Sequence, residues 1–320
     1  MKIVSNGTAN GFSPAQQRIH RSMVDLLGCA GLEYRGGFVN AGRYRVHYLE
    51  YGSGPVVLLI HGGGAGSAIW FRQIAALSRH YRVIAPDNPV FGLSTQPPYA
   101  VPLVDTTSGY LAPFMDAMKL DRASFVGLSL GGFASARIAA EAPERVEKLV
   151  LIDSAGFGRD LPWGFRITSL PLIGHVLALP HRKLHARFFA TNEVVYPDNE
   201  HNDTYLEYAY HVTKNDGHSE SIRHNMQEFA GLRGQRNLMT DEELRAVKAE
   251  TLVIWGREDR FFPLSHARRA VSLIGNSRLE VLDECGHVAL LDQPERVTSL
   301  ISGFLGQSSG AEAGAFAQSR

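Results

Sequence analysis

Cysteine is nearly missing from this chain. Cys29 and Cys285 are the two in 320 residues, too few for a disulfide framework, so a reducing, cytoplasmic setting is expected. An excess of charge of either sign is missing too. Lys and Arg number 32, as do Asp and Glu, which argues against a nucleic-acid surface or a strongly charged substrate. Long apolar runs are also lacking. The longest, residues 167–179, is too short to span a membrane and contains Pro171 and Gly174. The first residues show no basic start followed by an apolar stretch and a cleavage site, so no secretory leader is expected. No internal repeat is found. Metal-ligand spacing is sparse. His181 and His185 lie four apart, but no Glu stands between them in the H-E-x-x-H manner and no third ligand is evident. No metal or cofactor is therefore expected. What remains is an ordinary soluble composition, 44% hydrophobic and 20% charged.

The chain is organised around Phe125-Val126-Gly127-Leu128-Ser129-Leu130-Gly131-Gly132. It reads as the end of a buried strand, a tight turn and the start of a helix. The pattern G-x-S-x-G lifts a nucleophilic serine, here Ser129, above a sheet. The glycines suit a strained elbow where strand and helix approach closely. Around it, strands and helices alternate: strands at 56–60, 82–85, 123–126 and 146–152, and helices at 69–79, 103–118 and 133–140. Val56-Val57-Leu58-Leu59-Ile60 is apolar on both faces, as a doubly covered strand is. Two earlier strands, 35–40 and 44–50, read as antiparallel additions. Alternation stops between 156 and 248, where helical pieces and aromatics appear but no buried strand. It resumes with a strand at 251–255, a helix at 263–274, a strand at 279–282 and a helix at 294–305. This predicts an α/β fold with a doubly wound, mostly parallel sheet. The core is 35–156 plus 249–306, a helical cap is inserted at 157–248, an N-terminal helical arm covers 1–34, and a tail at 307–320 reads as disordered. The N-terminal helix reads as packed decoration, with a homodimer contact as the alternative.

A serine hydroxyl is a poor nucleophile at neutral pH and needs a base, an acid and an oxyanion hole. In elbow-type serine hydrolases the partners follow in the order Ser, acid, His. His287, in Glu284-Cys285-Gly286-His287 just past a strand, is the expected base. Asp259, in the loop after the preceding strand, is the expected acid; Asp153 is the reserve and Glu258 less favoured. One oxyanion N–H is expected from Leu130, at a helix N-terminus. The other is expected from Gly63 in His61-Gly62-Gly63-Gly64, with Gly64 as the alternative. Cys285 is read as a packing residue rather than a reactive thiol.

These motifs, with Gly256-Arg257-Glu258-Asp259, make residues 35–306 resemble the α/β-hydrolase superfamily. Within it, His61-Gly62-Gly63-Gly64-Ala65-Gly66 and Trp255 to Leu264 are similar to the meta-cleavage product hydrolases, which cut a carbon–carbon bond in a dienoic acid. The resemblance implies Asn before the serine, Met after it, and Trp after the histidine; this chain has Leu128, Leu130 and Val288. Leu128 and Val288 make a greasier substrate pocket. The resemblance also implies a cap arginine, for which Arg187 is the candidate. The reading that follows is a serine hydrolase acting on a small-molecule carboxylic ester or acyl substrate with an apolar part. The dienoic acid hydrolase is the alternative, and a non-catalytic receptor on the same fold a minor one. Haloalkane dehalogenases and epoxide hydrolases share the fold but use Asp as nucleophile, against Ser129.

Overall fold

The computed structural model describes residues 11–95, 101–167, 170, 182–213, 224, 225 and 227–307. Helix α1 (Pro14–Gly28) starts at a capping box, in which Ser13 and Gln16 satisfy each other's amides. Strands β1 (Gly36–Ala41), β2 (Tyr44–Tyr51) and β3 (Val56–Ile60) follow, then α2 (Phe71–Leu77), β4 (Arg82–Pro86), α3 (Leu103–Thr107) and α4 (Leu111–Ala117). Next come β5 (Ala123–Leu128), α5 (Leu130–Glu141) and β6 (Val146–Ile152). The inserted segment holds α6 (Trp163–Arg166), α7 (Arg182–Phe188), α8 (Asn202–Thr213), a hairpin of β7 (Ala230–Gly231) and β8 (Gly234–Gln235), and α9 (Asp241–Ala246). Strand β9 (Glu250–Gly256), α10 (Leu264–Leu273), β10 (Ser277–Leu282), α11 (Ala289–Asp292) and α12 (Pro294–Leu305) complete the described elements.

Eight strands form one sheet in the order β1-β2-β4-β3-β5-β6-β9-β10. Only the β1–β2 and β2–β4 pairings are antiparallel. The alternation of side chains explains why the central strands are apolar throughout. Val57 and Leu59 enter the core on one face, while Leu58 and Ile60 enter the core on the other. The same division separates Leu252 and Ile254 from Val253 and Trp255. Each such side chain, fully buried, contributes about 1.5–3 kcal/mol.

Three features differ from the sequence reading. The helix expected over 103–118 is two, α3 and α4, with Gly109 and Pro113 at the restart. The Gly109 N–H turns back to the Val104 carbonyl, closing the first helix. The inserted segment contains the β7–β8 hairpin, whose strands of two residues are too short for any periodicity to reveal. Finally, α1, read as decoration packed on an N-terminal arm, is part of the main core: it buries Ile19, Met23, Leu26 and Leu27 completely in the cluster that holds Trp70, Leu59 and Tyr208. The apolar run at 168–179 (Leu170 apart) and the tail beyond Gln307 lie outside the described residues.

The parallel strands all point their carboxyl ends the same way. His61, Asp87, Ser129, Asp153, Asp259 and His287 all follow such ends, where sites in these sheets form.

Candidate active site

Ser129 sits between β5 and α5 with φ 53° and ψ −115°. That left-handed geometry costs a non-glycine residue about 1–3 kcal/mol and holds the hydroxyl clear of the sheet. Two neighbours must lack a side chain for it to form. A Cβ on Gly131 would lie 2.1 Å from the Ile60 carbonyl oxygen, and one on Gly132 would lie 1.9 Å from Ser154 Oγ. The elbow is tied down by the Ser129 N–H donating to the Ile152 carbonyl at 2.9 Å.

His287 Nε2 lies 2.9 Å from Ser129 Oγ, and His287 Nδ1 lies 2.9 Å from Asp259 Oδ2. A carboxylate only accepts, so Nδ1 carries the proton and Nε2 faces the hydroxyl with its lone pair. Asp259 Oδ1 accepts from the Phe261 and Phe262 N–H groups at 2.7 and 3.0 Å. Its side chain is 1% exposed and that of His287 9%. Phe261 and Phe262 rest against the imidazole with centroids at 4.6 and 5.1 Å. A chain of ring contacts continues from Phe261 to Phe165 and Phe188 in the inserted segment.

The other acids fall elsewhere. Asp153 is wholly buried, and its Oδ1 accepts from the Gly256 N–H at 2.8 Å. Burial, with Asp259 nearby, pushes this carboxyl well above the usual range, so it stays neutral. Glu258 accepts from the Cys285 N–H at 2.9 Å and thereby fixes the turn before His287. Cys285 is fully buried, and burial raises its thiol far above the reactive range.

The loop after β3 lies over the serine. A Cβ on Gly62 would be 3.1 Å from Ser129 Cβ, and one on Gly63 would be 3.9 Å from Leu130 Cδ2. Leu130 opens α5, so its amide has no carbonyl partner within the helix. Gly63 and Leu130 thus approach each other beside the elbow.

Sequence reasoning missed what fixes that loop. His61 is completely buried. Its Nδ1 lies 2.7 Å from the Gly62 carbonyl, and its Nε2 accepts from the Asn88 N–H at 2.9 Å. Burial lowers its pKa, consistent with this neutral tautomer. The Asn88 amide donates to the His61 carbonyl at 3.0 Å and accepts from the Tyr110 hydroxyl at 2.5 Å. Asp87, next in the chain, accepts from Ser67 N–H at 2.6 Å, Leu93 N–H at 2.9 Å and His47 Nδ1 at 2.8 Å. Burial would raise its pKa, but His47 and the other donors outweigh that and bring it down to about 2. The only signal in the sequence was the density of turn residues in Pro86-Asp87-Asn88-Pro89.

Of the expected pocket residues, Leu128 and Val288 are 2% and 4% exposed and flank Ser129 and His287. Arg187 is exposed on α7. A separate cleft between α7 and α8, lined by Arg182, Leu206, Glu207 and Tyr210, contains none of the triad. His181 and the side chain of His185 lie outside the described residues, among which no group of three His, Cys, Asp or Glu residues could hold a metal. No helix among them is long and apolar enough to cross a membrane.

The chain is similar to known proteins along most of its length. The chain is 32% identical over 280 residues to a 2-hydroxy-6-oxo-2,4-heptadienoate hydrolase of Pseudomonas putida, covering 84% of this chain and 96% of that one. It is 31% identical over 283 residues to a 2-hydroxy-6-oxo-6-phenylhexa-2,4-dienoate hydrolase of Comamonas testosteroni, covering 82% and 92%. It also superimposes on the crystal structure of a bacterial membrane phospholipase A with a TM-score of 0.74 at 27% identity, over 93% of each chain. The family model for the alpha/beta hydrolase fold matches residues 55–294. With Ser129, His287 and Asp259 in hydrogen-bonded line at the carboxyl end of its sheet, the chain belongs to the α/β-hydrolase family, and it is a hydrolase.

Proposed function

We propose that this hydrolase cleaves the carbon–carbon bond beside the 6-keto group of a 2-hydroxy-6-oxo-2,4-dienoic acid. The observation that carries this reading over a simple esterase is the match, along more than nine-tenths of their length, to relatives named for that reaction. The chemistry suits the triad. A carbon leaving group departs only if its electron pair is delocalised. When the 2-enol ketonises, its proton moves to C5. Breaking C5–C6 then sends the electron pair into a conjugated dienolate ending on the C2 oxygen.

His287 takes the Ser129 proton as Oγ attacks C6, and the Gly63 and Leu130 amides receive the C6 oxyanion. Asp259 holds the imidazole in its working tautomer and stabilises the imidazolium. C5–C6 breaks, and His287 returns its proton to the dienolate. Water, deprotonated by His287, then clears the acyl-enzyme as a carboxylic acid. Leu128 and Val288 line the pocket, Phe165, Phe188, Phe261 and Phe262 wall it, and segment 157–248 acts as the cap.

A second reading is hydrolysis of carboxylic esters with an apolar part. Leu128 and Val288 favour it, because they present no polar group to a dienoate. Mass spectrometry of products formed in ¹⁸O-water separates the two. The proposal expects one ¹⁸O in the carboxylic acid released from C6, together with 2-hydroxypenta-2,4-dienoate, and neither product from Ser129→Ala. An intact dienoate beside rapid ester hydrolysis would establish the second reading instead.

A further inference from the structure

The turn that carries His287 is fastened on both sides of the imidazole. Before it, the Gly286 N–H donates to Asp292 Oδ2 at 2.7 Å. After it, the Val288 N–H donates to the Glu193 carbonyl of the inserted segment at 2.8 Å. Glu193 ends the π-helical turn Phe189–Glu193, a kind of turn that often marks functional sites. The fit is close. A Cβ on Gly286 would lie 2.9 Å from that carbonyl oxygen and 3.2 Å from Asp292 Oδ2.

Asp292 ends α11 and is buried, at 6% exposure. Its carboxylate serves both sides of this junction. Oδ2 holds Gly286, Oδ1 accepts the Tyr196 N–H at 3.0 Å, and the Val195 N–H lies 3.0 Å from either oxygen. Burial raises this carboxyl, and the three N–H groups oppose the rise. The strap that follows Glu193 is held twice more. The Asn199 amide donates to the Leu291 and Asp292 carbonyls at 2.9 and 3.1 Å, and the Tyr196 hydroxyl donates to the Glu284 carboxylate at 3.1 Å. Through Phe189–Glu193 the strap continues into Phe188, whose ring meets Phe261 beside the imidazole. The three N–H groups that Asp292 holds are backbone, so it acts on geometry rather than on the reacting atoms.

We propose that Asp292 is a positioning residue, which ties the strap of the inserted segment to the residue before His287 and so makes the aim of the base at Ser129 depend on the seating of that segment. A carboxylate accepts on both sides of the tie, and an amide cannot. In Asp292→Asn the NH2 group faces either the Gly286 N–H or those of Val195 and Tyr196. Whichever way it turns, one side of the tie opens. His287 keeps its bond to Asp259 but loses the fixed turn beneath it. A misplacement of about 1 Å costs roughly a hundredfold in rate. The inference rests on acyl transfer at Ser129 and holds for either bond type.

The test is the stoichiometric reaction with ethyl p-nitrophenyl butylphosphonate. Ser129 Oγ displaces p-nitrophenolate at phosphorus while His287 takes the serine proton. The amplitude of p-nitrophenolate release counts folded sites, and its rate constant reads how well the base is aimed. A purely structural role would lower the amplitude alone. In Asp292→Asn the amplitude per folded protein stays native and the rate constant falls about a hundredfold. Asn199→Ala, which loosens the same strap by one side chain, loses about tenfold, the scale of one buried hydrogen bond. The double variant loses no more than Asp292→Asn alone, because the strap is already free. A rate constant in Asp292→Asn within about threefold of native overturns the proposal, as does a double variant whose loss is the product of the two. Should Asp292→Asn yield no folded protein, Asn199→Ala decides: a tenfold slower reaction at full amplitude upholds the proposal, and a rate within about twofold of native overturns it. No release from the native enzyme overturns the acyl-transfer reading beneath it, whereas equal rates in native and variant overturn this inference alone.

Discussion

Replacing Asp259 by Asn tests the geometry of the site at a single atom. The Asn carbonyl can still accept the Phe261 and Phe262 N–H groups, so the loop should hold its shape. The amide nitrogen would then face His287 Nδ1, where a carboxylate oxygen stands at 2.9 Å. It donates, so Nδ1 must accept and the ring proton moves to Nε2. Nε2 would then point an N–H at Ser129 Oγ and could take no proton from it. The imidazolium formed during attack also loses its counter-charge. Two unit charges about 4 Å apart at an effective dielectric of about 20 interact by about 4 kcal/mol, about a thousandfold in rate. With the tautomer penalty added, kcat should fall about ten-thousandfold, the scale of this change in other serine triads. Asp153→Asn is the control. Asp153 is already neutral, and Asn keeps the acceptor for Gly256 N–H. Its kcat/KM should stay within about threefold of the native value, since no charge is lost. Steady-state kinetics on both variants, with circular dichroism to verify folding, measures the difference. Comparable losses in the two variants, or a larger loss in Asp153→Asn, would refute the assignment of the acid.

Two further outcomes follow from the site's supports. The folded-state pKa of Asp87 is depressed to about 2, so its stabilising contribution is present above the unfolded value near 3.9 and is lost as pH falls from about 4 to about 2. Asp87→Asn should cost about 2 kcal/mol or more in denaturant unfolding at pH 7, and the gap to the native protein should narrow across that acidic window; a gap independent of pH would contradict the reasoning. Gly131→Ala places a methyl group 2.1 Å from the Ile60 carbonyl oxygen, where only backbone can yield. It should lower stability by more than about 3 kcal/mol or prevent folding, beyond the usual range for one substitution, and a thermal melt within a few degrees of native would contradict the close approach.

How much of this was legible in the sequence depended on whether the chemistry was local. The elbow was, because strand, turn, nucleophile and helix start fall within eight consecutive residues and the glycines are demanded by close contacts. The central strands were too, since apolar runs such as Val56 to Ile60 declare a sheet covered on both faces. Asp259 and Asp153 both follow strands, so sequence could rank them but not separate them. The difference is a hydrogen bond to His287 for one and a buried, neutral carboxyl for the other. The clamp joining His61, Asn88 and Tyr110 was invisible because its members are far apart in the chain and each alone is an ordinary polar residue. Helix α3 stopped short because Gly109 and its turn outweighed the helical spacing around it. The docking of the inserted segment onto the His287 turn gave no sign, since the Glu193 carbonyl and the Val288 N–H that join them are far apart in the chain. Substrate choice was the least legible. Leu128 and Val288 suggest an ester by their chemistry, whereas the likeness along the whole chain favours a dienoate.

The central claim is carbon–carbon bond cleavage by Ser129, and its most direct test is kcat/KM for 2-hydroxy-6-oxo-2,4-heptadienoate and for p-nitrophenyl butyrate, measured on the same preparation. The account predicts that the dienoate exceeds the ester by at least about a hundredfold, close to 3 kcal/mol of preferential transition-state stabilisation. An ester preferred by a similar margin, with the dienoate left standing, would contradict it and make the enzyme an esterase.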